Sequence, residues 1–114
     1  MTHSYVWVED HGRAVAFYTR TLDFEVREDM TQGDRRWVTI GRPGQPDLRV
    51  VLRSIGPPLD DATADHVRDL LRSGSLIAGG LVTDDCRAAF ADLSGRGVRF
   101  LAEPAERPYG IEAI

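Results

Sequence analysis

Residues 3–24 read HSYVWVEDHGRAVAFYTRTLDF and decide the first half of the fold. The β-branched and aromatic residues at the start of this stretch predict a strand over about residues 3–9. Asp10 stands where the N-cap of a helix is expected, and apolar side chains then recur at helical spacing as far as Leu22. The stretch therefore predicts a strand followed by an amphipathic helix over about residues 12–22.

Three further strands are predicted after this helix. Apolar and charged residues alternate around Val26, a polar turn contains Gly33, and a second run of β-forming residues covers positions 37–40. A loop with two prolines and two glycines then leads to the apolar residues 48–52. The first half is thus predicted to form a β-α-β-β-β module over about residues 3–54.

The second half repeats this order of elements. Residues 55–75 predict a linker that holds a short surface helix, and a strand is predicted at residues 76–83. An acidic helix cap, a helix that ends at glycine and a further strand at residues 98–101 follow. The repeat predicts an internal duplication, with module two over about residues 76–114 of a single domain that spans residues 1–114.

The composition limits the partners of the chain. Hydrophobic residues make up 42% and charged residues 28%, as in soluble globular proteins, and no apolar run approaches the roughly 20 residues of a membrane span. The net charge of -4, with interspersed signs, argues against a nucleic-acid partner. The single cysteine, Cys86, and the polar residues after Met1, which form no secretory signal, predict a cytoplasmic protein.

Two groups of residues resemble a known superfamily. The first group opens the chain and consists of His3, Val6, Val8, Asp10, Ala14, Phe17, Tyr18, Leu22 and Phe24. The second group consists of Val82, Asp84, Asp85, Cys86, Ala88, Gly97, Val98, Phe100 and residues 106–110. In order and spacing they resemble bacterial glyoxalase-like members of the vicinal oxygen chelate superfamily, which includes glyoxalases, bleomycin resistance proteins and extradiol dioxygenases.

The resemblance implies an α+β fold of two tandem βαβββ modules whose curved mixed sheets surround a cleft. Members of the superfamily continue beyond the position of Ile114 through a polar turn into one more strand, so the final strand is absent from this sequence. Members commonly dimerise, and the resemblance therefore implies a homodimer.

The resemblance also implies where a metal ion would bind. Metal-using members hold a divalent ion with one ligand from each of four strands, and His3 falls on the first of these positions. Side-chain alternation along the fourth strand leaves Arg49 and Arg53 facing the cleft, with Arg53 where the glutamate ligand would stand. A guanidinium cannot coordinate a metal, and neither can Ile77 or Ala78 on the fifth strand. We therefore favour no metal and no other cofactor, with His3 as a ligand only if a divalent metal ion is present.

Three functions stay open from the sequence. The first is a protein of resistance or sequestration type that binds a small aromatic or anionic molecule in a metal-free cleft, because aromatic walls and guanidinium groups suit such a ligand. The ligand-binding residues expected for it are Tyr5, Trp7, Trp37, Arg49, Arg53 and Tyr109. The second is a metal-dependent lyase, isomerase or dioxygenase, so enzymatic activity stays open. The third is a non-catalytic dimeric interaction module.

A structural explanation competes with the ligand-binding role of the aromatic residues. Tyr5 and Trp37 could instead fill the core or a dimer contact, because tryptophan in particular is usually well buried. The sequence does not identify the ligand, since the same architecture hosts many unrelated chemistries.

Overall fold

A computed structural model describes residues 3–114 of the chain. The chain divides into two compact units, with the division between Ala78 and Gly79. Among the residues described, none of the helices combines the length and the apolar character that crossing a membrane requires.

The first unit contains a four-stranded mixed sheet with helices. Its elements in chain order are β1 (Ser4–Val8), α1 (His11–Ala16), a π-helical turn (Phe17–Thr21), β2 (Glu25–Gln32), β3 (Arg35–Gly41), β4 (Val50–Ser54) and α2 (Asp61–Arg72). The strand order is β1-β4-β3-β2, in which β1 runs parallel to β4 and the other neighbours are antiparallel. The β-α-β-β-β order predicted for the first half is confirmed.

Acidic side chains start the helices as the sequence predicts. The Asp10 carboxylate accepts a hydrogen bond from the amide of Arg13 at 2.7 Å, and Asp60 accepts one from Thr63 at 2.7 Å. These bonds satisfy amides that lack a partner in the first helical turn. The bond to Thr63 also lowers the pKa of Asp60, because it stabilises the charged carboxylate.

The core of the first unit lies between the sheet and α1. Its buried members are Val8, Phe24, Val38, Ile40 and Leu52, and side chains from α1 and the π-helical turn pack against them. These residues alternate along their strands with residues that point away from the helix, as the pleat of a strand requires. The helix is also tied to the sheet by a polar contact, in which His11 Nε2 donates to the carbonyl oxygen of Leu52 at 2.8 Å.

The loop between β3 and β4 is held by Arg27. The Nη2 atom of Arg27 donates to the carbonyl oxygens of Arg42 at 2.9 Å and Gln45 at 3.3 Å, while Nη1 pairs with Glu25 at 2.7 Å. The guanidinium passes directly over Gly41, where a Cβ atom would also lie 2.8 Å from the carbonyl oxygen of Leu48. Position 41 therefore has no space for a side chain.

We expect Gly41→Ala to lower the free energy of unfolding by about 1–3 kcal/mol, because the added methyl group must displace Arg27 or the backbone at Leu48. Urea unfolding followed by circular dichroism measures the change. Gly56→Ala is the matched control, because nothing lies within 4 Å of a Cβ at that glycine. Equal effects of the two substitutions would contradict the crowding at Gly41.

The second unit contains a helix and a short hairpin. Its elements are α3 (Cys86–Gly95), β5 (Ala105–Arg107) and β6 (Gly110–Glu112), and the two strands pair antiparallel. The hairpin continues through bonds between Ala102 and Ile114, each 3.0 Å long. The rings of Phe90 and Phe100 pack edge to face, with centroids 4.8 Å apart. The predicted helix of the second half, with its Asp85 cap, is confirmed.

Two strands that the sequence predicts for the second half are absent from the described residues, so both predictions are wrong. Residues 76–83 form no strand, and neither do residues 98–101. Gly79 and Gly80 interrupt the first of these segments, and its apolar residues Ile77, Leu81 and Val82 are exposed, so burial does not stabilise a strand there.

Candidate ligand-binding face

The sheet of the first unit has a second face, which points away from α1. On β1 and β4 the residues that alternate with the core are Tyr5, Trp7, Val51 and Arg53, and on β3 they include Trp37 and Thr39. On β2 the residue opposite Thr39 is Glu28. We call this surface the distal face and define it by Tyr5, Trp7, Glu28, Trp37, Val51 and Arg53.

Arg53 lies against two aromatic rings of this face. Its guanidinium carbon is 5.5 Å from the ring centroid of Trp7 and 5.9 Å from that of Tyr5. Trp7 is also its direct neighbour across the strand pair. Arg53 is half-buried, yet within residues 3–114 it makes no hydrogen bond or ion pair. Its five N–H donors are therefore available to a ligand.

Arg49, the other arginine predicted to anchor a ligand, has protein partners. Its Nη1 donates to the carbonyl oxygen of Pro46 at 2.9 Å and approaches that of Leu48 at 3.4 Å. Part of its donor capacity is thus taken by the loop before β4. The geometry favours Arg53 over Arg49 as a charge anchor.

Trp37 reaches across the distal face towards the first strand. Its ring lies 6.0 Å from that of His3, centroid to centroid, in an edge-to-face arrangement. Beneath this region Thr39 is 0% and Val51 is 3% exposed. Tyr5 is 56% exposed and does not belong to the core cluster, so a core-filling role is wrong for Tyr5 within the described chain.

Glu28 is a member of the distal face that the sequence analysis did not identify. Strict alternation from Val26 would turn Glu28 towards the helix side. A β-bulge between Val26 and Glu28 shifts the register by one residue, and Glu28 then stands opposite Thr39. The Thr39 hydroxyl donates to its Oε1 at 3.4 Å. Only the run of charges in β2, which lacks apolar alternation, hints at this irregularity in the sequence.

Tyr109, the last of the predicted ligand-binding residues, lies in the second unit. It precedes β6, its side chain is exposed, and its hydroxyl donates to Glu112 at 2.9 Å. That hydrogen bond raises the pKa of Tyr109, because the carboxylate holds the phenolic proton. Arg107 also approaches Glu112, with a distance of 3.6 Å from Nε to Oε1. A role of Tyr109 in ligand binding stays a prediction.

A small hollow of ≈ 230 Å³ lies on the helix side of the first unit. It is lined by side chains that include Arg13, Phe17, Tyr18 and Leu71. Ligand pockets usually measure about 300–1,000 Å³, so this hollow is small for an organic ligand. Burial raises the pKa of the Tyr18 hydroxyl, as expected for a ring that packs against Phe24. The chemistry of the distal face makes it the stronger candidate.

Nearly the whole chain matches a known protein family. The family model of the Glyoxalase/Bleomycin resistance protein/Dioxygenase superfamily matches residues 1–111. The chain belongs to this superfamily. The resemblance inferred from the sequence is confirmed, and so is the α+β glyoxalase/bleomycin resistance fold.

Solved members of the superfamily share the fold over nearly the whole chain. The crystal structure of UcmS2 matches with a TM-score of 0.89 and 43% identity, covering 99% of this chain and 86% of that one. TnmS3, an antibiotic binding protein from Streptomyces sp. CB03234, matches with a TM-score of 0.73 and 29% identity, covering 99% and 82%. The uncharacterized protein YurT of Bacillus subtilis (strain 168) is 29% identical over 101 residues, which are 89% of this chain and 77% of YurT.

The distal face does not fit the divalent metal that some members of this superfamily use. Within the described range, residues 3–114, no three His, Cys, Asp or Glu side chains are grouped so that they could hold a metal ion. His3 packs against Trp37, and Arg53 brings a positive charge to the β4 position of the face. A cation beside the site repels a second cation, so this set of side chains is unsuited to a metal.

Proposed function

We propose that this member of the glyoxalase/bleomycin resistance superfamily binds a small planar organic anion on its distal face, without a metal ion. The observation that supports the proposal is the half-buried guanidinium of Arg53, which lies on the rings of Trp7 and Tyr5 and lacks a polar partner among the described residues. A guanidinium forms charge-assisted hydrogen bonds with anionic groups. A ligand with a carboxylate, phenolate or phosphate group would therefore supply the polar partner that Arg53 lacks.

The aromatic residues suit the body of such a ligand. Tyr5 and Trp7 present ring surface beside the guanidinium, and Trp37 adds a third ring on the same face. Planar apolar groups bind such rings by offset or edge-to-face stacking. Guanidinium binds a planar anion with two parallel hydrogen bonds, so one ligand can satisfy both kinds of group at once.

The relative TnmS3 supports binding rather than catalysis as the main activity, because it is an antibiotic binding protein with 29% identity to this chain. We therefore propose a role of resistance or sequestration type. The lone cysteine suits a reducing compartment, and we place this role in the cytoplasm. We further propose that the protein acts as a homodimer.

Tryptophan fluorescence provides a direct test, because Trp7 and Trp37 are the two tryptophans of the sequence and both lie on the distal face. We expect titration with 2-naphthoate, in buffer that contains EDTA, to change the tryptophan emission in a saturable manner. Trp7→Phe should remove most of the change, because Trp7 stacks on the charge anchor. Benchtop fluorimetry at fixed protein concentration measures both effects.

The matched control for charge is 2-methylnaphthalene, which has the same rings and no carboxylate. We expect it to change the emission much less at equal concentration, since it gives Arg53 nothing to bind. Calorimetric binding of 2-naphthoate without any change in emission would place the ligand away from the two tryptophans. Absence of calorimetric binding by planar aromatic anions in general would contradict the proposed function.

A further inference from the structure

We propose that the ligand lies across the strands of the distal face, with its anionic group at Arg53 and an apolar far end against Met30. This inference rests on the proposed function and specifies its ligand class as an elongated, flat aryl carboxylate with at least two rings in line. Met30 then becomes the residue that selects such a ligand over a single-ring anion.

Four side chains form a row across the sheet at one end of the distal face. Trp7 is paired with Arg53 across β1 and β4, and Trp37 is paired with Met30 across β3 and β2. The antiparallel register of β3 and β4, continued by one residue, places Trp37 beside Arg53. Directly opposed residues point to the same face of a sheet, so Met30 joins the distal face. We call these four residues the Trp7 row.

The Trp7 row is accessible, whereas the neighbouring row of the same face is closed. The neighbouring row contains Thr39 and Val51, which are 0% and 3% exposed. In the Trp7 row, Met30 is 57% exposed and the other three side chains are half-buried. A ligand bound at Arg53 therefore extends along its own row and not over the neighbouring one.

The position of the guanidinium favours a ligand that extends towards β3. The Arg53 guanidinium lies against the rings of Trp7 and Tyr5, which both belong to β1. Since β4 lies between β1 and β3, these rings line the β1 side of the arginine. On the opposite side the Trp7 row continues with Trp37 and Met30, whose side chains suit the apolar body of a ligand.

Met30 differs in character from the residues around it in β2. Residues 28–32 read EDMTQ, in which the methionine is the only apolar residue. Polar and charged side chains are common on an edge strand such as β2. Single exposed apolar residues are also common on protein surfaces, but Met30 adjoins Trp37 and shares its row with Arg53. Methionine is flexible and polarisable, so it can pack against the far ring of an aromatic ligand.

The spacing of the strands sets the length of the ligand. Arg53 and Met30 are separated by β3, so two strand spacings place their Cα atoms about 10 Å apart. A carboxylate bound to the guanidinium occupies the nearest part of this interval, and one attached ring reaches the position of Trp37. A second ring in line is needed to contact Met30.

Benzoate and biphenyl-4-carboxylate test this inference, because they share the anionic group and differ by one ring in line. Isothermal titration calorimetry on the full chain measures the dissociation constant of the longer probe, and displacement of that probe measures the constant of benzoate. We expect the wild-type protein to bind the longer probe about 30-fold more tightly, since its second ring buries apolar surface. Met30→Ala should reduce this ratio about fivefold and leave benzoate binding within about twofold.

Val26→Ala is the matched control for the loss of apolar surface. Val26 is an exposed apolar residue of the same strand, and it pairs with Ile40 on the core side of the sheet. The ratio of the two dissociation constants should stay at its wild-type value in this variant. Circular dichroism would confirm that both alanine variants are folded.

A gain of function locates the far end of the ligand independently. Met30→Lys should bind biphenyl-4,4′-dicarboxylate about 10-fold more tightly than biphenyl-4-carboxylate, because the new cation would meet the second carboxylate. Thr31→Lys is the matched control, since it adds the same charge to the next residue, whose side chain points to the other face. That variant should not acquire the preference.

An unchanged ratio in Met30→Ala would overturn this inference and leave the proposed function standing. An equal preference for the dicarboxylate in the two lysine variants would overturn it as well, because the far end of the ligand would then lie elsewhere. Failure of biphenyl-4-carboxylate to bind the wild-type protein would count against the proposed function itself and thus against the inference that rests on it.

Discussion

Leu52→Ala is expected to lower the free energy of unfolding by about 3–5 kcal/mol. Leu52 is 1% exposed and belongs to β4, which lies between β1 and β3 in the sheet. Its side chain packs in the core with Val38 and Ile40, where the lost methyl groups would leave a cavity. A central strand cannot move to fill that cavity without disturbing both neighbours.

Urea unfolding monitored by circular dichroism measures this loss. Leu81→Ala is the matched control, because the same atoms are removed from a leucine that is 52% exposed. Its expected effect is about 0.5 kcal/mol or less. If both variants lost the same stability, the core as described would be wrong.

Arg53→Met is expected to weaken binding of 2-naphthoate by about 10- to 100-fold, because it removes the charge and the paired donors while keeping a long side chain. Methionine can still contact the rings of Trp7 and Tyr5, so packing on the distal face is largely retained. The predicted loss is therefore one of recognition and not of folding. Calorimetric titration measures it.

Two further variants separate the effect of the Arg53 donor geometry from the effect of net charge. Arg53→Lys should bind with intermediate affinity, since lysine keeps the charge but loses the flat, two-pronged donor geometry. Arg20→Met removes the same charge from an exposed position on the π-helical turn and should leave binding unchanged. If Arg20→Met weakened binding as much as Arg53→Met, the effect would come from net charge and not from a specific anchor.

The first half of the chain could be predicted because one periodicity governs each element. Alternation along β1 places Val6 and Val8 in the core and Tyr5 and Trp7 on the distal face, as the structure has them. The same alternation predicts that the Arg53 side chain lies on the face of β4 that points away from the core. Only the pairing of β1 with β4 was needed in addition to bring these side chains together.

Other features depend on information that alternation does not carry. The bulge after Val26 reverses which residues of β2 reach the distal face, and a sequence pattern with period two cannot anticipate a single inserted residue. The apolar run at residues 76–83 predicts a strand, but a strand also needs burial against neighbouring side chains, and Ile77 and Val82 are exposed. The hydrogen bonds of Arg49 depend on the path of the loop before β4.

The central claim is that Arg53 binds the anionic group of a planar ligand without a metal ion. Nuclear magnetic resonance of the arginine Nε–H groups, recorded during titration with 2-naphthoate in EDTA, tests it at the atom concerned. The Arg53 signal, assigned from its loss in Arg53→Met, should shift in a saturable manner while the Arg20 signal stays in place. Binding that leaves the Arg53 signal unmoved, or that requires an added divalent metal, would contradict the claim.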